Sequence, residues 1–179
     1  MTQRSEATNV YLEVELMTKL KPSDLSELCD ATYAAIEGGG GFGWVNPPAR
    51  EVLERYWQGV AMIPERHLFI GRLDGVIAAS AQLILHPKNN EAQAFCGQVM
   101  SCFVAPWARN HGLGKMLMTR LETEAKSFGL KALSLDVRET MEAAIKLYES
   151  MKFARWGTNP HYAMIGDHYL KGYYYTKII

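Results

Sequence analysis

Between Cys102 and Lys115 the chain reads Cys-Phe-Val-Ala-Pro-Trp-Ala-Arg-Asn-His-Gly-Leu-Gly-Lys: an apolar strand, a tight turn and the start of a helix, with Arg-x-x-Gly-x-Gly at the junction. This order constrains the fold more than any other stretch. A strand that breaks directly into a helix leaves the first N–H groups of that helix without partners, and the positive end of the helix dipole lies beside them. Gly112 and Gly114 give the backbone conformations that other residues resist, and they put no Cβ between the amides and an incoming anion. The pattern predicts a pyrophosphate cradle formed by Arg109, Asn110, His111, Gly112, Leu113, Gly114 and Lys115, with Arg109 adding charge from the side.

The surrounding chain fits an α/β domain. Residues 10–16 alternate as Val-x-Leu-x-Val-x-Leu, the period of a half-buried strand, and Lys21-Pro22 ends that segment. Ser23 or Asp24 then caps a helix whose apolar positions include Leu25, Leu28, Cys29 and Ala35 and which stops at Gly38. After Pro47-Pro48, residues Val52, Leu53, Tyr56, Trp57 and Val60 form the stripe of a second helix, read as core. Asp74-Gly75 sits between two apolar runs, residues 67–73 and 76–85, and predicts a tight hairpin. Residues 93–104 read as a further strand in which Gly97 marks a bulge or a close approach. The next helix presents Met116, Leu117, Leu121, Ala125 and Phe128 to the core and ends at Gly129. A strand at 133–137, a helix at 141–151, a strand at 153–157 and a terminal strand through Tyr173, Tyr174 and Tyr175 complete the reading. Hairpins followed by a strand–helix–strand crossover predict a mixed sheet.

Composition narrows the function. The 179 residues fit one domain, residues 1–179, and 48% hydrophobic content fills a substantial core. Nineteen basic residues balance nineteen acidic ones, so no global field favours nucleic acid or an anionic membrane, and any anion site is local. The longest apolar run, residues 75–85, is too short to span a bilayer, and the first six residues lack an apolar signal core. A cytoplasmic protein is expected. Cys29, Cys96 and Cys102 fit reduced, buried thiols, and no Cys or His spacing supports a metal site. Gly38–Gly43 matches Gly-x-Gly-x-x-Gly without a preceding strand, which removes the dinucleotide reading. Its aromatics Phe42 and Trp44 favour a loop over a substrate cleft instead of a plain linker.

Val104 to Gly114 resembles the acyl-CoA-binding motif of the GNAT superfamily of N-acetyltransferases. The later block Leu133-Ser-Leu-Asp-Val-Arg-Glu139, Ala143-Ala-Ile-Lys-Leu-Tyr-Glu149 and Phe153 resembles that superfamily's next strand and helix. The resemblance implies a mixed, mostly antiparallel twisted sheet of six or seven strands flanked by four helices. It also implies acetyl-CoA as cosubstrate, no metal, and transfer to a primary amine of a small molecule by direct attack in a ternary complex. It implies that Phe103 and Val104 join the cofactor site, with the Val104 amide polarising the thioester, and that Tyr148 returns a proton to the thiolate. Two positions depart from the pattern: Met141 stands where asparagine is common, and Lys152 where glycine commonly ends the helix. The segment Trp156 to Ala163 and the closing tyrosines resemble the tabtoxin-resistance branch, whose members acetylate amino-acid-like amines. Glu37 is the first candidate for the base, with Asp136 and His161 behind it. Phe42, Trp44, His161 and Tyr162, the last two in a tail loop, are expected to meet substrate. Acetylation of a protein N-terminus or lysine, and a non-catalytic acyl-CoA sensor, stay open beside this reading. A homodimer through a sheet edge or an apolar helix stripe is the expected assembly.

Overall fold

A computed structural model describes residues 10–179, apart from Gly41 and Lys88. Seven strands form one mixed sheet in the order β1-β2-β3-β4-β5-β7-β6, and four helices cover its faces, as the sequence implied. The strands are β1 (Leu12–Leu16), β2 (Arg66–Leu73), β3 (Val76–Leu85), β4 (Cys96–Val104), β5 (Ala132–Arg138), β6 (Ala154–Ile165) and β7 (His168–Ile178). The helices are α1 (Pro22–Glu37), α2 (Arg50–Met62), α3 (Leu113–Ser127) and α4 (Glu142–Ser150). All neighbouring strands pair antiparallel except β4 and β5, which α3 connects as a crossover.

Alternation along the strands divides the core in two. Leu68, Ile70 and Ile77 turn to one face, where Leu28, Cys29, Ala35, Leu53 and Trp57 of α1 and α2 pack on them. Phe69, Ala81, Leu83, Leu133 and Leu135 turn to the other and meet Leu113, Leu117, Met118 and Leu121 of α3 and Tyr148 of α4. Removing such apolar surface from water, about 25 cal/mol per Å2, is what binds the helices to the sheet. On the first face the buried Trp57 also donates from Nε1 to Thr32 Oγ1 at 3.0 Å, so its one polar atom is satisfied.

An ion cluster fixes α1. Arg72 of β2 reaches Asp24 at 2.9 Å, Glu15 at 3.2 Å and Glu27 at 3.3 Å, joining β1, β2 and the first turns of α1. Glu27 also accepts the Ile77 N–H at 2.9 Å, beside the Asp74-Gly75 turn, where both residues take positive φ. Past the far end of α1, Gly38 lies against Pro106, where a Cβ would come 3.0 Å from the proline Cγ.

Several local expectations are corrected. Helix α1 begins at Pro22 with Lys21 as N-cap, and Asp24 sits three residues in, accepting the Lys21 N–H at 3.4 Å, so it is not the cap. Strand β4 starts at Cys96, because residues 91–93 form a turn of 3-10 helix. The β4 irregularity lies at Ser101, with φ +48°, and not at Gly97. Gly97 is the close approach: a Cβ there would lie 2.6 Å from Leu83 Cδ1 and 2.8 Å from Leu130 Cδ1. On α3 and its C-cap, Met116 and Phe128 are 41% and 39% exposed, and Met118 takes the core position that a stricter helical count assigns. Phe128 instead lies beside the His67 ring of β2 at 4.5 Å. Residues 154–165 are one strand, so the tail loop expected at His161 does not exist as such; Pro160, His161 and Tyr162 bulge opposite Lys171 alone.

Candidate active site

The site begins where β4 and β5 part. Only Cys96–Gln98 and Ala132–Ser134 pair, and beyond them the two strands diverge, which a parallel neighbour with the Ser101 bulge permits. Ser101 holds its left-handed backbone with help from the Tyr56 hydroxyl, 3.1 Å from its Oγ. Gln82, fully buried, donates to the same Tyr56 oxygen at 2.9 Å and accepts from Arg66 at 3.1 Å. Farther along, Ala105 N–H bonds Ala78 and Phe103 stands opposite Ser80. By antiparallel alternation the Val104 N–H then points away from β3, into the gap that β5 has left.

Two cavities fill this gap and share a wall. One, of about 770 Å3, is bounded by Gly38–Gly40, Phe103, Val104, the turn from Arg109 to Lys115, and α4 through Leu147 and Tyr148. Asn110 and Gly112 have φ +67° and +85°, a left-handed pair that curls the turn, and Gly112 is the N-cap of α3. The Met116 N–H is the first to find its helical acceptor, Gly112 O at 3.1 Å; the amides of Leu113, Gly114 and Lys115 precede it and open on the cavity mouth. Arg109 Nε donates to Val104 O at 3.3 Å, tying the turn to the end of β4. The other cavity, of about 480 Å3, lies between Phe42 and Val45 on one side and β4, β5 and β6 on the other. Cys102, Arg138, Met141, Ala144, Tyr148 and Ile165 line both.

At the shared wall Tyr148 is 4% exposed. Burial first, then the adjoining Cys102 thiol, holds its phenol well above the usual range, so it keeps its proton through neutral pH. Burial likewise pushes the Cys102 thiol up to about 11. On the floor of the smaller cavity the Tyr162 hydroxyl donates to Asp136. Burial and that hydrogen bond raise the Tyr162 phenol too. The Tyr162 ring reaches Asp136 by lying across Gly172 of β7, where a Cβ would come within 2.1 Å of the ring.

The sequence model of the Acetyltransferase (GNAT) family matches residues 30–153. The chain belongs to that family. It is 58% identical over 127 residues to an uncharacterized N-acetyltransferase in the hisH-hisA intergenic region of Azospirillum brasilense, covering 71% of this chain and 76% of that protein. It is 32% identical over 99 residues to the mycothiol acetyltransferase of Paenarthrobacter aurescens strain TC1, which spans 55% of this chain but only 30% of that longer protein. Among solved structures, an N-acetyltransferase from Staphylococcus aureus Mu50 superposes with a TM-score of 0.79 at 21% identity, covering 94% of this chain and 98% of that one. A putative acetyltransferase from Salmonella typhimurium, solved with acetyl-CoA, superposes at 0.75 with 14% identity, covering 93% of each chain. These two likenesses establish the fold.

Within this GNAT acetyltransferase, the residues singled out from the sequence separate into two groups. Phe103, Val104, Arg109, Asn110, Gly112, Leu113, Gly114, Lys115 and Tyr148 line the larger cavity, and His111 does not. Phe42 and Tyr162 line the smaller one. Trp44 lines neither and packs on Phe42 and Tyr56, a supporting position behind the wall. His161 is exposed and stacks edge-on against Tyr169. Glu37 is exposed at the end of α1 and lines neither cavity, whereas Asp136 lines the smaller one, with Tyr162 as its partner instead of Arg138 or Lys131. Sequence reasoning passed over Cys102, Ser101 and Arg138 as wall residues; the alternation of β5 would have placed Arg138 on the face of Asp136. Met141, at the asparagine position, brings a thioether to the shared wall. Lys152 adopts φ +70°, and the N–H groups of Lys152 and Phe153 reach the carbonyls of Glu149 and Tyr148, each at 3.0 Å, so α4 ends on backbone bonds and needs no water there.

Proposed function

We propose that this GNAT acetyltransferase moves the acetyl group of acetyl-CoA to the primary amine of a small molecule, with both substrates bound at once. The observation that carries the reading is the pair of cavities with Tyr148 and Cys102 on their common wall. In this reading the donor's pyrophosphate lies on the amides of Leu113, Gly114 and Lys115 at the helix N-terminus, with Arg109 beside it. The thioester end reaches the gap at Val104, whose free N–H polarises the carbonyl. The acceptor occupies the smaller cavity, whose volume of about 480 Å3 suits a small molecule.

The chemistry follows from these positions. The amine nitrogen attacks the thioester carbon, a C–N bond forms and the C–S bond breaks. The departing sulfur takes the proton of Tyr148, and the proton lost from nitrogen goes to Asp136, the base in this reading in place of Glu37. Tyr162 orients that carboxylate through the hydrogen bond it donates. This reading uses no acyl-enzyme, because Cys102, the thiol on the common wall, is held protonated by burial and is poorly activated. Following thiol release from acetyl-CoA with a panel of amino acids, polyamines and amine antibiotics tests the reading. Amine-dependent release is expected; release that requires a peptide or protein acceptor would move the function to protein acetylation.

A further inference from the structure

Like Arg55, Arg66 and Arg109, Arg138 meets no carboxylate among the described residues, but of these four it is the one that lines both cavities. Arg50, Arg72, Arg120 and Arg155 each meet a carboxylate. Arg138, half-buried on the wall of both cavities, has as its hydrogen bond among the described residues only the Phe42 carbonyl, at 3.4 Å. A guanidinium taken partly from water without a carboxylate is costly unless a ligand supplies one. The donor is a poor source, because the anionic groups of acetyl-CoA belong at the turn from Arg109 to Lys115 and the part reaching the shared wall is neutral. Two residues away on the same face of β5 stands Asp136. The wall therefore presents a carboxylate and a guanidinium side by side, with Phe42, Val45, Met100, Met164 and Ile165 supplying apolar surface around them.

We infer that the acceptor is an α-amino acid with an apolar side chain, its amine toward Asp136 and its carboxylate on Arg138. The inference rests on the small-amine reading above and narrows it. A cation aimed at the acceptor's carboxylate excludes a protein N-terminus, whose first residue has spent its carboxyl in a peptide bond. It also excludes simple alkylamines and polyamines, which leave the guanidinium unpaired. A carboxylate contact made in a partly desolvated pocket discriminates strongly against an acceptor lacking it, because the arginine then stays buried and unsatisfied.

The test compares matched acceptors: leucine, methionine and phenylalanine, the amide of each, and the decarboxylated amine of each, read as kcat/KM for thiol release from acetyl-CoA. An amide's amine is the more readily deprotonated, so intrinsic reactivity works against the expected order. At least one acid is expected to exceed its amide and amine by about 100-fold, and Arg138→Met to bring that ratio near one, with Arg138→Lys in between. Amides or amines turned over as well as the acids, or a preference unchanged in Arg138→Met, would overturn the inference. If no amine releases thiol, the same pairs are read by calorimetric binding to the protein loaded with CoA. Binding of the acid but not the amide keeps the carboxylate reader while the transferase reading fails; equal or absent binding overturns it.

Discussion

At the scale of single residues the proposed chemistry turns on Tyr148 and on the Tyr162–Asp136 pair. A phenol held above its ordinary value stays protonated as pH rises, so the acid form is present throughout the range in which acceptor amines lose their protons. The pH dependence of kcat/KM is expected to climb with amine deprotonation and to show no descending limb up to pH 10. Tyr148→Phe removes the proton and keeps the ring packing against Phe153 and Tyr175; kcat is expected to fall about 100-fold with melting temperature little changed. Gly172→Ala drives a Cβ into the Tyr162 ring and displaces its hydroxyl from Asp136. It is expected to lower kcat/KM as far as Tyr162→Phe does, and the double variant no further; additive losses would separate the glycine from the tyrosine.

At the scale of elements, the site depends on how α1 and the β4–β5 gap are held. Arg72→Met leaves Asp24, nearly buried, facing Glu15 and Glu27 without a cation, and is expected to cost about 3 kcal/mol in denaturant unfolding. His67 of β2, against Phe128 at the C-cap of α3, has its imidazole lowered by burial, so the folded state prefers it neutral. Its contribution to stability is complete above the ordinary imidazole range and is lost as pH falls from there through its lowered value. Much of this layout was legible: Asp74-Gly75 marks its hairpin by turn chemistry, and the Arg109–Gly114 run marks its turn because left-handed backbone selects such residues. The β6 bulge was not legible, since residues 160–162 take their shape from the partner strand, where Gly172 alone leaves room for the Tyr162 ring. The same holds for Ser101 of β4, whose strained backbone is stabilised by Tyr56 of helix α2, a contact no local pattern encodes. Glu37 was placed near the cleft by its sequence position beside the glycine loop, but the last turn of α1 points it to solvent.

At the scale of the whole molecule, one sheet that opens along a single seam borders both cavities, with α3 and its turn beside the larger one and β6 beside the smaller one. Among the described residues no helix is long and apolar enough to cross a membrane, and the helices spend their apolar faces on the sheet. In the proposed reading the acetyl group passes directly between two bound molecules, because Tyr148 touches both spaces and Cys102, the thiol on their common wall, is held protonated by burial. Initial rates measured over a grid of acetyl-CoA and acceptor concentrations test this most directly. Direct transfer in a ternary complex gives double-reciprocal lines that intersect; parallel lines, together with an acetylated enzyme isolated in the absence of acceptor, would contradict it.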